Sequence, residues 1–488
     1  MGGQRVVEER SSGQLDTRSQ PGEGSEEVKL QKHVGLVGGI SFVVGTVIGS
    51  GIFITPQGVL QNTGSVGLCM VLWALGGVLS MLGALTYSEL ASVVRKSGGQ
   101  YAYLNEALGP IPAYLVAWTR EVAMSPSSTA VVSLTFAEYF ESMFVVCGSP
   151  ELPKKLIAIL LIMTLSIINC FSPKLAASVQ VVFTGAKLLA LFVIITGGVV
   201  WMTKGVTSDL MTGFKGTTDS PASVALALYF VMFSYGGWNN ANNLLEEVEN
   251  PRRNVPLSSV IGVLVTAFVY ILTNISYILV LSKKELFYST AVAVSWGDRV
   301  MGVAGLIIPV SVMCSTFGAL NGGLFSSSRI TFAAARDGNF PEFLSYIHVK
   351  HFSPIPSILF HIFFAVIMVL GSSIMSLLRF LSFLAWFFYA LSAVSVIVLR
   401  FTREKDPHRI KIPMVNHVLF LLVSVFLVMT PIIDYPRIEF LYAVVFCVGG
   451  LVFYIPFVHY KLKPRFLDTF EMYMQMFLEV VPSPPEES

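Results

Sequence analysis

The sequence predicts an all-α polytopic membrane protein of about twelve transmembrane helices, and three observations carry that expectation. Hydrophobic residues make up 54% of the 488 and charged residues only 13%, against roughly 25% charged in soluble domains. Apolar runs of about 20 residues, the length a helix needs to cross a bilayer, recur from Val37 to Tyr460. Two of these runs are opened by glycine, at Ile48-Gly49-Ser50-Gly51-Ile52-Phe53 and Phe233-Ser234-Tyr235-Gly236-Gly237-Trp238-Asn239. A helix opened inside hydrocarbon strands backbone groups, and it survives only where protein, water or ligand satisfies them. Each break falls in the first hydrophobic span of its half. That is the sequence signature of a secondary transporter with a site near the bilayer midplane.

Taken in order, residues 1–33 mix Arg5, Arg10, Arg18, Lys29 and Lys32 with Glu, Ser and Gly and carry too little apolar surface to fold alone. They are expected to form a disordered cytoplasmic tail. The segment lacks the charged, apolar and cleavage-site pattern of a signal peptide, so it is expected to remain on the mature chain. Twelve spans follow at about Val37–Phe53, Leu68–Ser88, Ile111–Phe140, Leu156–Cys170, Val181–Trp201, Ser223–Leu244, Leu257–Leu281, Val303–Ala335, Ser357–Leu370, Ser376–Leu399, Val418–Ile433 and Ile438–Tyr460. Lys and Arg concentrate in every second loop, with Arg95, Lys96, Arg252, Arg253, Arg336, Arg403 and Lys461 on the side of the N-terminus. The positive-inside rule then places both termini in the cytoplasm. Past Tyr460, Phe466, Phe470, Met474, Phe477 and Val481 fall at helical spacing behind Lys461, Lys463 and Arg465. This reads as a helix lying on the membrane or packed on the chain's own inner loops, ended by Pro482, Pro484 and Pro485.

An unwound midplane helix presents free N–H groups and positive partial charge at the start of one half and free carbonyls at the end of the other. The N–H groups around Gly49, Ser50 and Gly51, with the Ser50 hydroxyl, suit a carboxylate, and the carbonyls of Phe233 and Ser234 suit an ammonium. The simplest ligand with both groups is the backbone of an L-amino acid. A glycine packing face between helices would account for Gly49 and Gly51 but not for the second break at Gly236-Gly237. Lys187 lies deep in the fifth span, where an ammonium must face a cavity or partner. It is expected to face the first break as a fixed substitute for a cation, with snorkelling to the surface as the alternative.

Five motifs stand in order along the chain: Thr46-Val47-Ile48-Gly49-Ser50-Gly51-Ile52-Phe53, Ser97-Gly98-Gly99, Tyr235-Gly236-Gly237-Trp238-Asn239, Glu246-Glu247 with Asn250-Pro251, and Ser326-Ser327-Ser328-Arg329. Together they resemble the L-type amino acid transporters, light subunits of the heteromeric amino acid transporters in the amino acid–polyamine–organocation superfamily. The resemblance runs from about residue 30 to Tyr460. It implies a 5+5 inverted repeat of the leucine-transporter type, 34–203 and 222–400, with helices 1 and 6 unwound, two further helices over 414–460, and a cytoplasmic tail over 461–488. It also implies sodium-independent obligatory exchange at the plasma membrane and a disulfide to a single-span heavy-chain glycoprotein. Cys147 occupies the family's position for that bridge, and Cys69, Cys170, Cys314 and Cys447 fall in or beside apolar spans. The Asn274-Ile275-Ser276 sequon lies inside the seventh span, beyond the reach of glycosylation.

By the same resemblance Phe233 is an aromatic gate over the substrate, with Asn239, Phe383 and Trp386 lining the space beyond. The candidate substrate-binding set is Thr46, Val47, Ser50, Gly51, Phe233, Ser234, Gly236, Asn239, Phe383 and Trp386. Gly236 stands where the branch that also carries cationic amino acids has Asp, which leaves a cationic side chain unpaired. Neutral substrates, large or aromatic, are expected, with broader specificity as the alternative. Arg120-Glu121 in the third span departs from the family pattern. It reads either as a structural ion pair with another helix or as a charge near the pocket that favours anionic substrates. An enzyme would need paired acids, a His cluster or a nucleophile within the bilayer, and a channel a ring of acids or a filter repeat. The sequence offers none of these. No cofactor, metal or nucleic acid is expected.

Overall fold

The computed structural model describes residues 35–94, 99–144, 151–171, 173–204, 210–239, 248–402, 409–434, 436–462 and 464–482. Cys147, the tail over 1–33 and the Glu246-Glu247 pair lie outside them. Among the described residues eight helices are long and apolar enough to cross a membrane, and three shorter apolar helices join them. Pro110–Thr119, Arg120–Met124 and Ser125–Glu141 run on as the third span, which completes the twelve. The chain is a multi-pass membrane protein, helical because no other open backbone satisfies its own polar groups in lipid.

The helix ends follow local chemistry. Ser65 and Ser220 each accept from the backbone N–H three residues on and start the second and sixth spans. Pro56, Pro110, Pro221 and Pro251 stand in the first turn of their helices, where the missing N–H costs nothing. The third span widens into a π turn at Arg120–Met124, just before Pro126. Proline cannot donate to the carbonyl four residues back, and a π turn is one way a helix absorbs that loss. The last span repeats the device at Tyr454–His459, which contains Pro456.

The seventh span, Pro251–Val280, packs against the first, second and fifth, while the eighth packs against the third and fifth. The sixth span, Pro221–Ser234, lies against the second, tenth and eleventh. The last two spans bury only 28% and 22% of their most apolar windows, which places them at the rim of the bundle.

The structure corrects the sequence reading in four places. The first span does not stop at Phe53. It runs as Leu36–Val47, then Gly51–Ile54 and Pro56–Thr63, ending at Gly64 with φ +69°. Three short helices, Gln100–Leu108, Lys283–Tyr288 and Val292–Met301, occupy stretches left between spans, because none is long or apolar enough to register as a crossing. The all-α class holds, but the described residues also include one short antiparallel strand pair that the span reading did not anticipate, Tyr346–His348 against Val480–Pro482. Finally, the tail helix Arg465–Leu478 ends at Glu479 in the left-handed region (φ 48°) and not at the prolines.

Candidate functional site

The two breaks cross each other. The first half of span 1 closes with the Ile48 N–H on the Val44 carbonyl at 2.9 Å, and Ile48 then turns extended (ψ 96°). The second half begins after Ser50, where the Phe53 N–H folds back to the Ser50 carbonyl at 3.0 Å. In span 6 the helix stops at Ser234, the Gly236 N–H reaches back to the Phe233 carbonyl at 3.0 Å, and Gly237 takes φ +104°.

Glycine makes the crossing possible at two contacts. A Cβ on Gly51 would lie 2.5 Å from the Ser234 Cα, and one on Gly237 would lie 2.9 Å from the Thr46 carbonyl oxygen. Each break thus carries one glycine that lets the other's backbone approach, the service glycine commonly gives in close packing. Thr55 Oγ1 and Ser234 Oγ, 2.7 Å apart, add a side-chain tie across the same crossing.

Three polar side chains from other spans reach carbonyls at or beside the breaks. The Tyr270 hydroxyl, from span 7, stands 2.9 Å from the Val47 carbonyl oxygen and 2.9 Å from that of Ser234. One hydroxyl hydrogen therefore serves both breaks. Lys187 Nζ, from span 5, donates to the Gly45 carbonyl at 2.8 Å in the last turn before the first break. The residue is 8% exposed. Tyr139 donates to the Phe53 carbonyl at 2.9 Å on the far side of that break.

This arrangement modifies the picture of open carbonyls. Those of Phe233 and Ser234 are already engaged, by the Gly236 N–H and the Tyr270 hydroxyl, so a ligand ammonium would use only their second lone pairs. Sequence reasoning missed Tyr270 because a single tyrosine in an apolar run carries no spacing signal.

The remaining candidates distribute as follows. Thr46 is half-buried and its hydroxyl donates back to the Phe42 and Val43 carbonyls. Val47, Ser50 and Gly51 are buried, Phe233 and Asn239 half-buried, and Gly236 exposed. Phe383 packs on Phe440 at 5.2 Å and Trp386 on Tyr389 and Phe420 at 5.6 and 6.0 Å, all within an aromatic layer facing the last two spans. Trp238, just past the second break, joins that layer through Tyr389 at 5.2 Å and Tyr87 at 5.1 Å.

Among the described residues Arg120 and Glu121 do not form an ion pair with another helix. Arg120 Nε lies 3.6 Å from its own neighbour Glu121, whose other oxygen accepts from the Thr331 hydroxyl of span 8 at 2.8 Å. Glu121 is buried while the Arg120 side chain is 44% exposed. Its guanidinium is within electrostatic range of the Tyr87 and Tyr389 hydroxyls.

A second charged centre has no counterpart in the sequence reading. Glu89, in span 2 and fully buried, accepts from Arg400 Nε at 2.7 Å, from the Ile412 N–H at 3.1 Å and meets His417 Nε2 at 3.0 Å, with Arg409 Nε at 3.6 Å. His417 reaches Thr86 through its other nitrogen at 3.1 Å. The cluster binds spans 2, 10 and 11 together.

Against known proteins, residues 34–453 match the family model described as amino acid permease. The chain is 44% identical over 475 residues to the human b(0,+)-type amino acid transporter 1, covering 97% of each. It is 38% identical to the human cystine/glutamate transporter, over 94% of this chain and 92% of that one. It is 37% identical to the human large neutral amino acids transporter small subunit 2, over 94% and 86%.

Proposed function

This chain belongs to the amino acid permease family and, within it, to the L-type light-chain transporters, and from that premise we propose that it is a sodium-independent exchanger working by alternating access around its two helix breaks. That it transports amino acids follows from the family. The finer reading is carried by one observation, the Lys187 ammonium held 2.8 Å from the Gly45 carbonyl beside the first break. A fixed cation there replaces the mobile one that stranded carbonyls otherwise attract. In this reading the amides around Gly49, Ser50 and Gly51 receive the substrate carboxylate and the span 6 carbonyls its ammonium, with Phe233 above and Thr46, Val47 and Asn239 beside. Gly236 leaves no counter-ion for a cationic side chain, so neutral, bulky amino acids are the proposed substrates.

One observation favours a second reading. The Arg120 side chain is 44% exposed and holds its charge within electrostatic range of Tyr87 and Tyr389 in the aromatic layer, which suits an acidic side chain. The 38% identical relative is a cystine/glutamate transporter. In proteoliposomes, labelled uptake should need internal amino acid and ignore sodium. Competition by leucine, glutamate and arginine separates the readings: leucine strongest supports the neutral pocket, glutamate strongest assigns the work to Arg120, and arginine strongest overturns both.

The chain is further proposed to sit in the plasma membrane with both termini cytoplasmic. It is proposed to pair with a single-span heavy-chain glycoprotein through Cys147. Cys147→Ser should abolish the high-mass band on non-reducing gels while exchange partly persists. An unchanged band would exclude that bridge.

A further inference from the structure

The helix Arg465–Leu478 has two unlike faces. Leu467, Glu471, Met474 and Leu478, spaced at i, i+4, i+7 and i+11, turn toward the protein, with Glu471 7% exposed. Phe470 touches Phe343 of the span 8–9 loop at a ring separation of 5.1 Å. The opposite side presents Met472, Tyr473, Met476 and Phe477, which are 49%, 50%, 69% and 80% exposed. Tyr473 and Phe477 stack on each other there at 6.3 Å. A soluble surface helix puts its polar residues on that side. This one puts a second apolar face.

Both ends of the helix are tied to one surface of the bundle. Its start follows span 12 after only Lys461–Pro464, which is no more than about 18 Å of extended chain. Its end is fastened by the strand Val480–Pro482 on Tyr346–His348, by the Val349 N–H on the Glu479 carbonyl at 3.0 Å, and by Lys350 on the Glu479 carboxylate at 2.9 Å. Tyr346–His348 lies in the loop joining span 8 to span 9, so it is held by two more span ends. The helix is 14 residues long, about 21 Å, and cannot swing far from the membrane surface.

From this placement we propose that the outward face of Arg465–Leu478 is a lipid-binding surface. It seats Tyr473, Met476 and Phe477 at the boundary between headgroups and acyl chains of the leaflet into which span 12 ends. The chemistry fits an anionic leaflet. Lys461, Lys463 and Arg465 precede the aromatic face in sequence, and basic residues flanking an apolar helix face favour such headgroups. The tail is then a strap bound to the protein on one side and to lipid on the other. It adds an anchor for the span 8–9 loop that the twelve spans do not supply.

The test places a bimane probe at Met476→Cys, and separately at Gln475→Cys on the polar side. The full-length chain, its five native cysteines replaced by serine, is reconstituted in nanodiscs containing phosphatidylserine. If cysteine replacement impairs exchange, a fluorescent amino acid introduced at 476 in the native-cysteine chain reports the same property. Brominated lipid should quench position 476 several-fold more than 475, and aqueous iodide the reverse. Iodide quenching at 476 equal to that at 475 would overturn the proposal by placing the face in water. Protection from both quenchers would overturn it equally, by assigning the face to a protein partner.

Discussion

Two buried ionisable groups, Lys187 beside the first break and Glu89 near the ends of spans 2, 10 and 11, are handled in opposite ways. Lys187 donates to a backbone carbonyl, a dipole that leaves its charge unneutralised among the described residues. Glu89 gathers two arginines, a histidine and a backbone N–H around one carboxylate. Under the proposed function, the difference is that between a working charge and a fastening. A charge kept uncompensated in a low-dielectric region retains its field for whatever enters beside it. A charge surrounded by partners spends its field on holding three helices, and removing it leaves those partners buried and unpaired.

The largest expected effect breaks the fastening. Glu89→Gln strands Arg400 and Arg409, at a cost of about 3–5 kcal/mol for a broken buried pair. It should sharply lower both the detergent melting temperature and the yield of folded protein. Normal yield and melting would mean that the cluster does not hold the helices. Next, Lys187→Ala should leave folding near wild type and depress exchange roughly 10- to 100-fold, the equivalent of a charged hydrogen bond worth about 1.5–3 kcal/mol. If yield fell as far as in Glu89→Gln, the contrast between the two charges would collapse.

Tyr270→Phe sharpens the comparison from the neutral side. Losing one hydroxyl shared between the Val47 and Ser234 carbonyls should slow exchange about 2- to 10-fold, in line with a net hydrogen bond of roughly 0.5–1.5 kcal/mol. Surface expression should not change, and exchange at the wild-type rate would remove Tyr270 from the mechanism. The smallest effect belongs to an exposed charge. Glu285 caps the helix Lys283–Tyr288 through the Ser282 N–H and hydroxyl and pairs with Arg299. These bonds, the Ser282 backbone contact first, hold its carboxyl below the ordinary range. A depressed carboxyl stabilises the fold above its unfolded pKa, and that contribution fades as pH falls through the folded one. Its side chain is 45% exposed, so water screens the interaction. Hydrogen exchange at 283–288 should rise only slightly in acid, and Glu285→Gln should flatten that rise. An identical acid response in the variant would assign it to another group.

Much of the molecule is legible in the order of its residues. Bilayer thickness sets a length and lipid forbids unpaired backbone, so twelve apolar runs declare twelve helices and two glycine breaks declare where they open. Those constraints act along the chain, and sequence records them directly. Other features are relations between distant residues that no local pattern encodes. The reach of Tyr270 to both breaks spans 36 and 223 positions, and Glu89 meets its partners 311 and 328 positions away. The contacts at Gly51 and Gly237 are visible in the sequence as glycines but not as a crossing. The pairing of Val480–Pro482 with Tyr346–His348 is hidden there because three-residue strands carry almost no period. Sequence alone determined the class, the spans and the location of the breaks, since each follows from the hydrocarbon around a single segment. Tertiary structure alone decided which hydroxyl and ammonium meet at the breaks and which groups gather round Glu89, since a buried polar group's partner is fixed by packing and not by neighbours in the chain.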